Sequence, residues 1–159
     1  MESDSAIDDP TITSNKLVSE LVANRIKAIP SSEPQEILDS LKLAEANQLI
    51  LAPFLNDPNF LNGLCWHGSL QGFVARVFRY CEQAVDLAPG DASIRDSRGL
   101  ARALTGNYAG AIEDFQFFVD NEKREALIPY ILQRQQWIVE LKAGRNPFTP
   151  ELLEELMSE

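Results

Sequence analysis

Histidine and cysteine are scarce in this chain: 159 residues hold one histidine, His67, and two cysteines, Cys65 and Cys81. A zinc site needs ligands at close paired spacing, which these three do not have. Cys65 and His67 stand two apart, so on a helix they point about 200° away from each other and cannot work as nucleophile and base. The glycine-bearing stretch 63–72 lacks the Gly-Lys-Ser/Thr end of a phosphate-cradling loop. No catalytic residue, metal or cofactor is therefore expected. Positive charge is short too, with 14 Lys and Arg against 24 Asp and Glu and a net charge of −10. That excess argues against nucleic acid, whose phosphates require clustered cations, and against an anionic membrane surface. Long apolar runs are missing, with none near the roughly 18 residues that span a bilayer. Residues 1–20 carry five carboxylates and no continuous apolar run. Neither a signal nor a transit peptide is expected, and the cytoplasm is the expected location. There a disulfide is disfavoured, and Cys65 and Cys81 are expected as buried thiols.

What the chain does have is periodicity. Hydrophobic residues make up 45% of it, enough for one domain with a real core. Gly72 and Gly106 lie 34 residues apart, as do Cys65 and Gly99, Leu70 and Leu104, Val77 and Ala111, Cys81 and Phe115, and Ala84 and Phe118. Each pair keeps its size class or nearly so, which reads as one helical hairpin written twice. The first copy runs Leu61-x2-Leu64-Cys65-x2-Gly68, then Val77-x3-Cys81, Ala84 and Pro89. The second runs Arg95-x2-Arg98-Gly99-x2-Arg102, then Gly106, Tyr108 and Ala111-x3-Phe115. On these residues the chain resembles the tetratricopeptide repeat family, whose 34-residue pattern places Trp, Leu, Gly, Tyr, Ala, Phe and Pro at those points. Two departures stand out: arginines replace Trp, Leu and Tyr in the second copy, and Lys123 stands where the closing proline would fall. More widely, the stretch 62–156 is similar to tetratricopeptide tails of bacterial multidomain proteins with β-propeller, protease or nucleotide-binding switch modules. Apolar spacing, caps and breaks along the chain read as all-α with about seven helices, and the resemblance implies that they form a tetratricopeptide-like helical hairpin stack, a short right-handed solenoid.

Taken in order, residues 1–14 hold little to bury and read as a disordered acidic tail. Residues 15–57 carry two apolar-periodic runs around Pro30 and Pro34, and read as an N-terminal hairpin that is a cap or a degenerate repeat. Residues 58–125 hold the two repeats, opened by Asp57 as N-cap and Pro58 at the first helical position. Residues 126–159 read as C-terminal capping helices. Gly144 stops the first of these, Asn146-Pro147-Phe148 makes a turn, and Thr149-Pro150 starts the last. The carboxylates Glu113, Asp114, Glu151, Glu154 and Glu155 read as solvated faces and helix-end charges.

Arg95, Arg98 and Arg102 line one helix face at spacings of three and four. Three readings are open: structural ion pairs with Glu82, Asp86, Glu113 or Asp114, a site for a partner's acidic group, or a solvated face. The resemblance also implies a concave face lined by the first helix of each hairpin. Carried onto matching positions, it consists of Asn62, Trp66 and Ser69, then Asp96, Leu100 and Ala103, and one step further Tyr130, Arg134 and Trp137. Such a groove is aromatic and nearly neutral, and suits an apolar or aromatic-bearing segment, with Trp66 and Trp137 as anchors. Core placement of both tryptophans is the competing expectation. The expected function is non-catalytic binding of a peptide or partner domain. The alternative is an oligomerisation or regulatory subunit that stacks on itself or on an enzyme.

Overall fold

The computed structural model describes residues 55–158, and before them only Asp39 and Lys42. The expected acidic tail and all of the expected N-terminal hairpin except Leu55, Asn56, Asp57, Asp39 and Lys42 lie outside the described residues. Six α-helices are found among the described residues, with no strand, where about seven were expected for the chain. They are α1 (Pro58–Leu70), α2 (Val74–Leu87), α3 (Ala92–Leu104), α4 (Tyr108–Asn121), α5 (Ile128–Lys142) and α6 (Pro150–Met157), with a 3-10 turn at Glu125–Leu127 before α5.

Helix boundaries recur at the interval seen in the sequence. α1 and α3 each have 13 residues and α2 and α4 each have 14, and each second-copy helix starts 34 positions after its counterpart. The local causes recur as well. Asp57 accepts a hydrogen bond from the Asn59 amide at 2.9 Å, and Asp91, its counterpart, from the Ser93 amide at 2.9 Å. Each satisfies a donor that a helix start leaves open. Both hairpins turn at a glycine in the left-handed region, Gly72 at φ 84° and Gly106 at φ 82°. The amide one residue further on donates back into the helix, Phe73 to the Gly68 carbonyl and Asn107 to the Arg102 carbonyl, both at 2.8 Å. This closure requires positive φ, so glycine is needed there. Gly144, at φ 74°, closes α5 in the same way.

Each hairpin has a close approach of its two helices at matching positions. In the second, a Cβ on Gly99 would stand 2.8 Å from the Phe115 ring, so only glycine lets α3 meet α4 there. In the first, the counterparts of Gly99 and Phe115 are Cys65 and Cys81, and they form a disulfide with Cα atoms 5.0 Å apart. The cysteines are buried as expected, but they are not thiols. The approach that suits a glycine and an aromatic ring in one copy brings two sulfurs within bonding reach in the other. α1 and α2 both pack on α3, α4 packs on α5, and α6 returns to α1. The main core joins Leu70, Leu100, Ala103, Ala111, Phe115, Trp137, Ile138, Leu141, Phe148 and Leu156.

Candidate functional site

The arginine face of α3 meets carboxylates from two neighbouring helices. Asp114 of α4, fully buried, accepts two hydrogen bonds from Arg98, from Nε and Nη2, each at 2.8 Å. Arg102 Nη1 lies 3.0 Å from the same carboxylate and Arg95 Nη1 3.6 Å from it. Glu82 of α2 takes a hydrogen bond from Arg98 at 3.2 Å and another from Arg102 at 3.3 Å. Burial works to lower the pKa of Arg98, but the hydrogen bonds and charges of Asp114 and Glu82 outweigh it and raise it. Of the four carboxylates expected as partners, Glu82 and Asp114 engage, while Asp86 and Glu113 are exposed. Arg95 reaches outward, with its guanidinium 4.2 Å from the Phe117 ring centre and its Nε donating to the Pro89 carbonyl at 3.0 Å. The network ties α2, α3 and α4 together.

Most of the nine positions expected to line a groove are interior. Ser69, Asp96, Leu100, Ala103, Arg134 and Trp137 are each at most 5% exposed, and only Asn62, Trp66 and Tyr130 keep partial exposure. The C-terminal segment supplies the cover. Phe148 lies against Trp137 and Phe115, with ring centres 4.7 and 6.2 Å away, and Leu156 joins the cluster containing Leu100 and Trp137. Trp137 is therefore core, the competing expectation. Asp96 and Arg134 form a second buried ion pair, with three hydrogen bonds of 2.8 to 3.2 Å. Burial raises the Asp96 pKa, and Arg134 opposes that rise by charge and hydrogen bonding. The Arg134 guanidinium sits 4.4 Å from the Trp137 ring centre, 5.5 Å from Tyr130 and 5.8 Å from Trp66. Aromatic faces favour a cation held there.

Beside this filled surface a cleft of about 430 Å³ stays open. α1 supplies Asn59 and Asn62, the start of α3 supplies residues 91–94, and the end of α4 with the following loop supplies Asn121, Glu122 and Arg124. Its lining is polar. The Asn62 Oδ1 atom is buried and has no hydrogen-bond partner in the protein. Glu122 is gripped by Arg124 through Nε at 2.9 Å and Nη2 at 2.5 Å, and Arg124 Nη2 also reaches Ser93 Oγ at 3.4 Å. The side-chain and backbone hydrogen bonds from Arg124 lower the Glu122 pKa to about 2. Except for Asn62, the cleft residues were not singled out from the sequence. Asn59 and Ser93 occupy the same repeat register, 34 residues apart, and that was the available signal.

Carboxamides, a hydroxyl, the Asp91 carboxylate and the Glu122–Arg124 ion pair line the cleft and can donate and accept hydrogen bonds. Cys65 has its sulfur committed to the disulfide, and burial lowers the pKa of the neighbouring His67. Among the described residues no group of three or more His, Cys, Asp or Glu side chains is placed to hold a metal ion. No helix among them is long and apolar enough to cross a membrane. Compared with protein-family models, curated proteins and solved structures, the chain matches none.

Proposed function

We propose that the chain is a non-catalytic protein-binding module built as a tetratricopeptide-like stack of helical hairpins, which holds a polypeptide segment in the open cleft between α1, α3 and α4. The observation that carries this reading is the recurrence of 13- and 14-residue helices at a 34-residue step, with the polar cleft open across both copies. A repeat stack offers its partner a surface that spans several units, and this cleft draws on the first helix of each copy. Its chemistry favours a polar segment. Carboxamides present a donor and an acceptor together, which matches a peptide backbone. Partly exposed Trp66, one helical turn from Asn62, offers an aromatic contact beside it. This moves the expected preference from apolar segments toward polar ones, because the apolar part of the expected groove is already occupied.

The test begins with co-purification from the native host and identification of the partner by mass spectrometry. Titration of the purified partner against Asn59→Ala, Asn62→Ala and Arg124→Ala variants follows. Each substitution should weaken binding by about 0.5–1.5 kcal/mol; Asn59→Ala and Asn62→Ala should leave the melting temperature unchanged, while Arg124→Ala should lower it through loss of the Glu122 contact. Unchanged affinity in all three variants would remove the cleft as the binding site.

A further inference from the structure

Three of the five large hydrophobic side chains that stay exposed among the described residues lie on α5: Ile128 at 48%, Leu132 at 60% and Val139 at 58%. Steps of four and seven residues place them on one stripe of the helix. Exposed Pro129, Gln135 and Gln136 flank the stripe. From Ile128 to Val139 the only charged residue is Arg134, buried against Asp96, so this stretch of the outer face of α5 carries no charge in a chain of net charge −10.

The repeat register identifies this face. Stepping 34 residues from Leu61, Leu64 and Gly68 of α1 gives Arg95, Arg98 and Arg102 of α3, and a second step gives Pro129, Leu132 and Gln136 of α5. In α1 this face is covered by α2, where a Cβ on Gly68 would stand 2.5 Å from Val77. In α3 it is covered by α4, through the pairing of Arg98 and Arg102 with Asp114. In α5 the same face is exposed at Pro129, Leu132 and Gln136. The short α6 that follows packs on α1 instead, so α5 is the first helix of a hairpin whose second helix does not cover it.

We propose that this face binds the same face of a second copy of the chain, with the two α5 helices antiparallel about a two-fold axis. An isologous contact needs one self-complementary patch, and this one qualifies. The antiparallel arrangement sets Ile128 against Val139 of the second copy and Leu132 against its Gln135. The same register brings exposed Glu125, just before α5, opposite exposed Lys142 of the second copy at each end of the contact. Two chains of net charge −10 repel elsewhere, so an uncharged seam closed at both ends by opposite charges is where they can meet. The residues beside the stripe, Pro129, Gln135 and Gln136, are uncharged, which separates it from a membrane-binding helix, where cations border the apolar face along its length. The stripe spans roughly 18 Å of helix, which places the contact at the small end of specific interfaces and makes association concentration-dependent.

Sedimentation equilibrium of the full chain across the micromolar range tests this. Wild type should show a monomer–dimer equilibrium, and Leu132→Glu should be monomeric throughout with an unchanged melting curve, because its side chain faces solvent in the single chain. Glu125→Lys should weaken the dimer, and the double variant Glu125→Lys/Lys142→Glu should restore it. Asn62→Ala, in the cleft, should leave the equilibrium unchanged, so the binding cleft and this interface stand or fall separately. A wild type that stays monomeric, or a dimer that Leu132→Glu leaves intact, overturns the proposal.

Discussion

Asp114 carries no exposed surface and answers to three arginines, so its neighbours are not interchangeable. Arg98 makes both short hydrogen bonds, and Arg98→Ala should destabilise the protein toward the lower end of the roughly 3–5 kcal/mol that follows from breaking a buried pair, since Arg102 stays in reach. Arg95 is partly exposed and more distant, and Arg95→Ala should cost about 1 kcal/mol or less. Urea melts of the two variants check the ranking; equal losses would mean that the network does not centre on Asp114. Gly99→Leu addresses close packing instead. Its Cβ would meet the Phe115 ring at 2.8 Å, so overpacking should cost about 1–3 kcal/mol in the same melts. At this scale the sequence told part of the story. Spacing placed three arginines on one face and offered four carboxylates, but it could not choose Glu82 and Asp114 over Asp86 and Glu113. That choice depends on how α2 and α4 are rotated against α3.

The first hairpin contains the disulfide, and the second reaches the same closeness with Gly99 on Phe115. Cys65 and Cys81 are 16 residues apart, so opening the bond frees a loop whose closure contributes about 3 kcal/mol in the chain-entropy account. Reduction, or Cys65→Ser with Cys81→Ser, should therefore lower stability by about that amount while far-UV circular dichroism at low temperature stays helical. In a reducing compartment the two sulfurs are packed thiols, and α1 and α2 then rely on Leu61, Leu64 and the Gly68–Val77 approach. The loop after α4 makes a different prediction. The Glu122 pKa falls from 4.5 unfolded to about 2 folded, so its contribution to stability is fully present above about 4.5 and is lost as pH falls toward 2. Glu122→Gln should consequently be less stable than wild type at pH 7, with the difference shrinking below pH 4.5 and closing near pH 2. Denaturant melts across that range read it directly; a constant difference would show that the Arg124 contact is not what lowers this carboxyl. Helix limits were legible because Asp57, Asp91, Gly72 and Gly106 punctuate them locally. The disulfide was not, because it depends on the separation of two helices, which the pattern of residues along each does not specify.

For the molecule as a whole, the decisive feature is where the chain goes after Gly144. The repeat pattern gave an open surface at Leu100, Ala103 and Trp137, and it read Asn146-Pro147-Phe148 as a turn and α6 as a short cap. Periodicity says nothing about Phe148, which lies in an irregular segment, yet that ring packs against Trp137 and Phe115. Leu156 is 3% exposed and shares the cluster with Leu70 and Leu100, so an eight-residue helix completes the core. Loss of either contact should then be felt globally. Leu156→Ala should lower stability by about 2–5 kcal/mol and Phe148→Ala by about 3–5, as for large-to-small changes in a packed core. The diagnostic is coincidence of probes. Tryptophan emission, which reports Trp66 and Trp137, and far-UV circular dichroism, which reports all the helices, should shift together to lower denaturant, as one cooperative unit requires. If α6 is a loosely docked cap, emission in Leu156→Ala will move to longer wavelength well before the helical signal falls. Separated transitions of that kind would return Leu100 and Trp137 to solvent without unfolding the repeats, and would restore the open groove that the sequence alone predicts.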